Sequence, residues 1–287
     1  MMPVFCGRSI DPGTFGFAVP FRRYVEAAAA AGFDTVEVPV GALHQIGVKR
    51  IRALLAEHGI AAPIYSCPWS LPANGSVPDD IFASRLAMLP ALLDQVAAAG
   101  GRLISAFFAS HRPGMTALPH DALTDRCGTI REQASAAGLD FCVELNDVEV
   151  LRDAIRVLGD VDRLLLLFDS FHFFRAGLTP EWFATIPHGR IGWVHLSGVP
   201  RGAVATLDGG PRCPPHAGQQ DLASIVRGLS ATGYAGPLSL EIIPAPPDGI
   251  DLVRYGRELL NATLTALTAA SVDWRRSGPR TQISGQA

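Results

Sequence analysis

Eight short apolar runs, each separated from the next by a segment with helical spacing, constrain this chain more than any other feature. The runs are PVFCG near 3–7, TVEVPV at 35–40, APIYS at 62–66, RLISAFF at 102–108, DFCVEL at 140–145, RLLLLFD at 163–169, RIGWVHL at 190–196 and PLSLEII at 237–243. Between them lie segments rich in Ala, Leu, Arg and Glu, such as FRRYVEAAAAAG, VKRIRALLAEHG, DIFASRLAMLPALLDQVAAAG and IDLVRYGRELLNATLTALTAA. Several stop at glycine (Gly32, Gly59, Gly100, Gly138), the usual C-terminal cap of a helix. Strand and helix in alternation call for a parallel sheet covered by helices. Eight such pairs in 287 residues fit the α/β class as a single (β/α)8 TIM barrel. A doubly wound open sheet is the rival, because alternation does not show closure. No GxGxxG follows the first run, which counts against the dinucleotide-binding form of that rival. No linker interrupts the chain, so one barrel domain is expected over 1–274. The tail RRSGPRTQISGQA, 275–287, reads as solvated and disordered.

Charge and cysteine usage narrow the partners. A formal net charge of −3 offers no basic footprint for nucleic acid. No apolar run reaches bilayer length, and the N-terminus MMPVFCGRSIDPG lacks the pattern of a secretory signal. Five cysteines (Cys6, Cys67, Cys127, Cys142, Cys213) are odd in number and widely spread, with no CxxC. They read as reduced thiols. The expectation is a cytoplasmic protein acting on a small molecule, with no membrane or nucleic-acid partner. Exposed barrel helices often pair, so a homo-oligomer is compatible, although no segment marks an interface.

In a barrel, chemistry collects at the C-terminal ends of the strands. The second half of the chain supplies it consistently: CVELND ends in Glu144, LLLFDSFH in Asp169, GWVHLSG in His195 and LSLEIIP in Glu241. A buried carboxylate such as Asp169 costs several kcal/mol unless it is paired or bound to a cation. Three carboxylates and one imidazole on one rim suit a hard or borderline divalent metal, Mn²⁺ or Mg²⁺ first, then Co²⁺ or Zn²⁺. Taken singly, each acid is as well explained by a helix cap or an ion pair, and His195 by a core hydrogen bond; the case rests on four consecutive strands. His172, three residues after Asp169, is expected in the loop beyond the strand, curled toward a substrate; packing within FHFF is its other reading. Cys67 and Trp69 in YSCPWS line the substrate cleft or simply pack the rim. Glu37 in TVEVPV reads as a buttress of the barrel, outside the catalytic set.

The set VELN, FDSFHFF, VHLSG and LSLEI resembles the xylose isomerase-like TIM barrels, the sugar phosphate isomerase/epimerase group. The resemblance implies one divalent metal held by Glu144, Asp169, His195 and Glu241, with His172 as a substrate contact. The family often follows the strand-seven histidine with an aspartate, then an arginine and a PGxG-type turn before a helix. Here Arg212, Gly218 and Asp221-Leu222 are kept, Ser197 or Gly198 stands where the aspartate often is, and PPHAG replaces the turn. Arg212 is thereby implied as a contact for a substrate oxygen or phosphate, with Arg201 the second choice. DNA-repair endonucleases of the same superfamily need extra histidines at strands three and four; IYSCPW and FFASHRPG offer only His111, so a nuclease is not expected.

The implied chemistry is proton transfer next to a carbonyl of a sugar, ketose or keto-polyol, with Glu144 and Glu241 acting from two sides of the substrate. Returning the proton gives isomerisation or epimerisation, the favoured outcome. Losing a β-hydroxyl gives a dehydratase of the inosose or dehydroshikimate type. A non-catalytic metal-binding barrel subunit is the third reading.

Overall fold

A computed structural model of the chain describes residues 2–67, 71–72, 79–109, 119–146, 148–203 and 210–276. Its centre is a closed ring of parallel strands: β1 (Arg8–Ile10), β2 (Thr35–Pro39), β3 (Ala61–Ser66), β4 (Leu103–Ala109), β5 (Asp140–Leu145), β6 (Leu165–Asp169), β7 (Ile191–Leu196) and β8 (Leu238–Leu240). Each strand pairs with the next, β8 pairs with β1, and Ile64, Tyr65 and Ser66 of β3 pair with Leu103, Ile104 and Ser105 of β4. Closure excludes the open doubly wound sheet. No helix among the described residues is long and apolar enough to cross a membrane.

The covering helices start and stop for local reasons. Asp251 caps the helix Leu252–Ala269 by accepting from the backbone N–H of Val253 and Arg254, and Asp221 caps Leu222–Ala231 through Ser224. Gly32 and Gly59 close their helices in the left-handed region, at φ +107° and +61°, where a β-carbon would be strained.

One strand differs from the sequence expectation. The run near 3–7 does form a strand, Val4–Cys6, but outside the barrel, paired with Asp273–Arg275. The first barrel strand is the next segment, Arg8–Ile10, and Gly7 (φ +114°) turns the chain between the two. Three residues beginning Arg-Ser carry no apolar signature, which is why the preceding run drew the assignment. The Asp273–Arg275 strand ends just inside the segment expected as tail; residues 277–287 lie outside the described residues.

The inside of the barrel is divided. Ile64, Leu103, Cys142, Leu167 and Trp193, one residue from each of β3 to β7, form an apolar cluster of their own. Strands β8, β1 and β2 bring Ser239, Ser9 and Thr35 into register with one another instead, and Glu37 is fully buried beside them. The apolar half is a packed floor on which the mouth of the barrel stands. Truncating Ile64→Ala should lower unfolding free energy by about 2–5 kcal/mol, read as a shifted urea midpoint with unchanged slope. A cost below about 1 kcal/mol would show that this floor is loosely packed.

Candidate metal centre

Closure brings the ends of β5 to β8 together. Glu144, Asp169, His195 and Glu241 each offer a donor atom, and the four atoms lie within 4.8 Å of one another. All four side chains are largely buried. Asp169 ends β6 and also caps the helix Ser170–Arg175: its Oδ1 accepts from the backbone N–H of Phe171 at 2.7 Å, and its Oδ2 accepts from Arg212 Nη1 at 2.8 Å. The same Nη1 donates to Glu241 Oε2 at 2.6 Å and to Ser197 Oγ at 3.3 Å. The Arg212 guanidinium also lies 4.6 Å from the centre of the Phe171 ring.

The segment that delivers Arg212 is pinned at several points. Gly198 and Cys213 exchange two backbone hydrogen bonds, and the Arg212 N–H donates to the Ile243 carbonyl. A β-carbon on Gly198 would stand 2.8 Å from both Gly218 Cα and the Pro214 carbonyl oxygen. Glycine at 198, where the sequence resemblance leads one to look for an acid, is therefore required by the close approach of two backbones.

His172 reaches the cluster from a helix, not from a loop. It sits in the first turn of Ser170–Arg175, and its Nε2 lies 3.4 Å from Glu144 Oε1 and 3.6 Å from Asp169 Oδ2. Cys67 is buried in the main apolar core, where burial pushes its thiol up to about 12. Arg201 is exposed in the turn after Pro200, and no contact among the described residues joins it to the carboxylates. Trp69 and His111 lie outside the described residues.

Two residues outside the sequence-derived set belong to the cluster. Glu37 lies 3.0 Å from His195 Nε2, and Asp11 follows β1 on the same mouth. Asp11, Glu37 and His195 also bring donor atoms within 4.8 Å of one another. Asp11 was hidden because the first barrel strand was placed one segment too early. Glu37 was visible as a charge inside an apolar strand, but nothing in its own segment reveals that His195, 158 residues later, faces it.

The electrostatics follow from five acids converging on few cations. Burial raises the Asp11 carboxyl well above the usual range, and the charges of Glu37 and Glu241 add to the effect. Burial also pushes Glu241 up, but Arg212 and His195 outweigh it and hold that carboxyl well below its usual value. For His195, burial acts downward, and the charges of Glu37 and Glu241 outweigh it to raise the imidazole. Burial likewise opposes the Arg212 charge, while Asp169, Glu241 and Glu144 hold its proton firmly.

The donor set fits a divalent cation. His195 Nδ1 is buried without a hydrogen bond; it stands 3.2 Å from Glu241 Oε2 in an arrangement that lacks hydrogen-bond geometry. A buried imidazole nitrogen without a hydrogen bond, in a group with three carboxylates, is a donor that suits a hard or borderline ion.

Comparison with known proteins agrees with this architecture. A family model described as xylose isomerase-like TIM barrel matches residues 25–263. Two curated 3-dehydroshikimate dehydratases, from Pseudomonas aeruginosa and Pseudomonas putida, are 30% identical over 248 residues and 29% identical over 246. Each match covers 82% of this chain, and the chain spans only 38% of the length of either relative. Among solved structures, a xylose isomerase domain protein from Alicyclobacillus acidocaldarius superposes with TM-score 0.75 at 19% identity, covering 92% of this chain and 99% of that one. An IolI protein with a bound zinc atom gives TM-score 0.71 at 14% identity, covering 92% and 98%. A D-psicose 3-epimerase solved with D-fructose gives 0.70 at 16%, covering 92% and 99%. At these identities the structures speak for the fold.

Removing the bridging cation should expose the strain among the acids. Arg212→Met is expected to destabilise chelator-treated protein by about 3 kcal/mol or more, the cost of breaking a buried pair. Added Mg²⁺ or Mn²⁺ should raise the melting temperature of the variant more than that of the parent. Equal stability of the two in chelator would mean that the carboxylates do not need Arg212.

Proposed function

Since the chain belongs to the xylose isomerase-like TIM barrel family, we propose that it is a divalent-metal-dependent enzyme acting on a small polyhydroxylated ketone. It removes the proton beside the carbonyl and expels the β-hydroxyl as water. The observation that carries the metal-dependent part is the convergence of Glu144, Asp169, His195 and Glu241 within 4.8 Å at the mouth of the barrel. The dehydratase ending is supported by the curated relatives, 3-dehydroshikimate dehydratases matched over 82% of this chain. Because the chain spans 38% of their length, their activity as whole proteins comes here only as part of the proposal. A cytoplasmic setting goes with it, supported by five cysteines none of which is disulfide-bonded.

Asp169, His195, Glu241 and Glu144 would hold the ion, with Mg²⁺ or Mn²⁺ suiting an oxygen-rich set; when bound, it supplies Lewis-acid polarisation of the ketone oxygen. The two glutamates are not equivalent. Glu241 is fixed as an anion by Arg212 and His195, which makes it a weak base. Among the described residues no arginine is hydrogen-bonded to Glu144, although the Arg212 charge reaches it; the His172 ring lies 3.4 Å from its Oε1. Glu144 is therefore the base that takes the α-proton. The electron pair left behind forms the new C=C bond as the β-carbon–oxygen bond breaks. The proton passes from Glu144 through His172 to the departing hydroxyl, which leaves as water. Arg212 holds Asp169 and Glu241 in position and keeps negative charge tolerable as the enolate forms.

One observation favours a second reading. Glu144 comes from β5 and Glu241 from the residue after β8, so the two carboxylates reach the mouth from different strands of the ring. Return of a proton by Glu241 would give epimerisation or isomerisation.

The deciding experiment incubates Mg²⁺- or Mn²⁺-loaded protein in D₂O with 3-dehydroshikimate, inososes and free ketoses, following proton NMR and ultraviolet absorbance. Loss of water with a new conjugated or aromatic chromophore is expected. Glu144→Gln should lower the rate by about 10²–10⁴-fold in protein shown to retain metal. Deuterium in recovered ketone without water loss would move the assignment to an epimerase. No exchange and no chromophore across the panel, in metal-loaded protein, would overturn both enzyme readings.

A further inference from the structure

Glu37 has no place in the reaction described above, yet it is completely buried and carries more hydrogen bonds than any acid at the mouth. Its Oε1 accepts from Trp193 Nε1 at 2.9 Å, from Ser239 Oγ, and from His195 Nε2 at 3.0 Å; its Oε2 lies 3.2 Å from the same Nε2. We infer that Glu37 is a positioning residue for the metal centre, fixing the His195 ring so that Nδ1 alone is presented to the ion. The inference rests on the metal-dependent reading above and extends it to a residue of another strand.

The chemistry is directional. An ionised carboxylate only accepts hydrogen bonds. The His195 nitrogen facing Glu37 must therefore carry its proton, and in the neutral ring the opposite nitrogen, Nδ1, must carry the lone pair. Nδ1 is the atom left buried without a hydrogen bond, 3.2 Å from Oε2 of Glu241, one of the four residues whose donor atoms converge. Histidines that bind metals commonly have such a carboxylate behind them, which fixes the ring and raises its basicity. Trp193 and Ser239 complete the arrangement. Trp193 is fully buried in the barrel floor and lies two residues before His195 on β7, so it faces the same side of that strand. It holds the carboxylate from below, and Ser239 holds it from β8.

A plain structural strut would need the Trp193 and Ser239 contacts but not the one to His195. A second cation among Asp11, Glu37 and His195 would need the opposite arrangement, with Nε2 stripped of its proton. Three donors already converging on Glu37 Oε1 make that acid a hydrogen-bond acceptor and not a vacant ligand.

The test uses Zn²⁺ as a diamagnetic probe on the full chain. In the zinc-loaded parent, nitrogen-15 NMR should show His195 metallated at Nδ1, with a slowly exchanging, strongly hydrogen-bonded proton on Nε2. Glu37→Gln can turn its amide N–H toward Nε2 and so favour the proton on Nδ1. It should weaken Zn²⁺ affinity by about 10–100-fold in a chelator competition. Ser239→Ala removes another partner of Glu37 without touching the imidazole, and should leave affinity within about twofold. Metal on Nε2 in the parent overturns the inference, and it does so even if Glu37→Gln fails to fold. Unchanged affinity in folded Glu37→Gln overturns it too, while the metal reading stands. A parent that binds no Zn²⁺ overturns the metal reading and the inference with it.

Discussion

The mouth of this barrel is governed by one constraint: acids pushed together by ring closure have to be compensated inside a small volume. Among the described residues, five carboxylates, from Asp11, Glu37, Glu144, Asp169 and Glu241, meet there. One permanent cation, Arg212, bridges two of them, and it arrives from a segment that belongs to no strand of the ring. The backbone ties at Gly198, Cys213 and Ile243 exist to hold that segment down. Close approach of Gly198 to Gly218 is the steric condition for those ties. Each acid is then compensated differently. Asp169 takes a backbone N–H and the guanidinium, Glu37 takes hydrogen bonds from Trp193, Ser239 and His195, and Asp11 has a raised tendency to hold its proton. Glu144 has the His172 ring 3.4 Å from its Oε1 and shares the field of the Arg212 guanidinium.

The divided interior explains how such a mouth is supported. The apolar floor from β3 to β7 lies on the side that delivers Glu144 and Asp169, and Trp193 ends it. The indole N–H of Trp193 then crosses to Glu37, joining the apolar half to the polar half formed by β8, β1 and β2. His195 stands at this seam, between Glu37 on one nitrogen and Glu241 on the other. One residue pair on β7, Trp193 and His195, thus couples packing to site geometry.

Much of this was legible in the chain itself. Strands β5 to β8 announce themselves because buried parallel strands read as continuous apolar runs, and a charge ending such a run is conspicuous. Glu144, Asp169, His195 and Glu241 all stand out in that way, and the structure brings them together. The first strand did not announce itself: Arg8–Ile10 is three residues long, and its inward Ser9 faces a polar wall. Losing that strand concealed Asp11. His172 was expected in a loop, because one strand-end acid gives no sign that it will also cap a helix; Asp169 does so through Phe171. The role of Glu37 was out of reach for a different reason. Its partners Trp193, His195 and Ser239 lie 156 to 202 positions away, and only closure of the ring defines which side chains meet across it.

The same compensation bears on which way a reaction at this mouth would end. Epimerisation asks two carboxylates to exchange roles, one taking a proton while the other arrives with one to give. Glu241 is poorly suited to arrive protonated, since Arg212 and His195 both favour its anion, and burial alone does not reverse them. Elimination asks less of it. One base and one nearby proton carrier suffice, and in the proposed reaction Glu144 and His172, 3.4 Å apart, would be that pair. Glu241 then needs only to remain charged, as ligand and as partner of the guanidinium. The physical asymmetry between the two glutamates thus points toward loss of water, the same direction in which the dehydratase relatives point. The two lines are independent, because one rests on the charges surrounding each carboxylate and the other on sequence similarity over 82% of the chain.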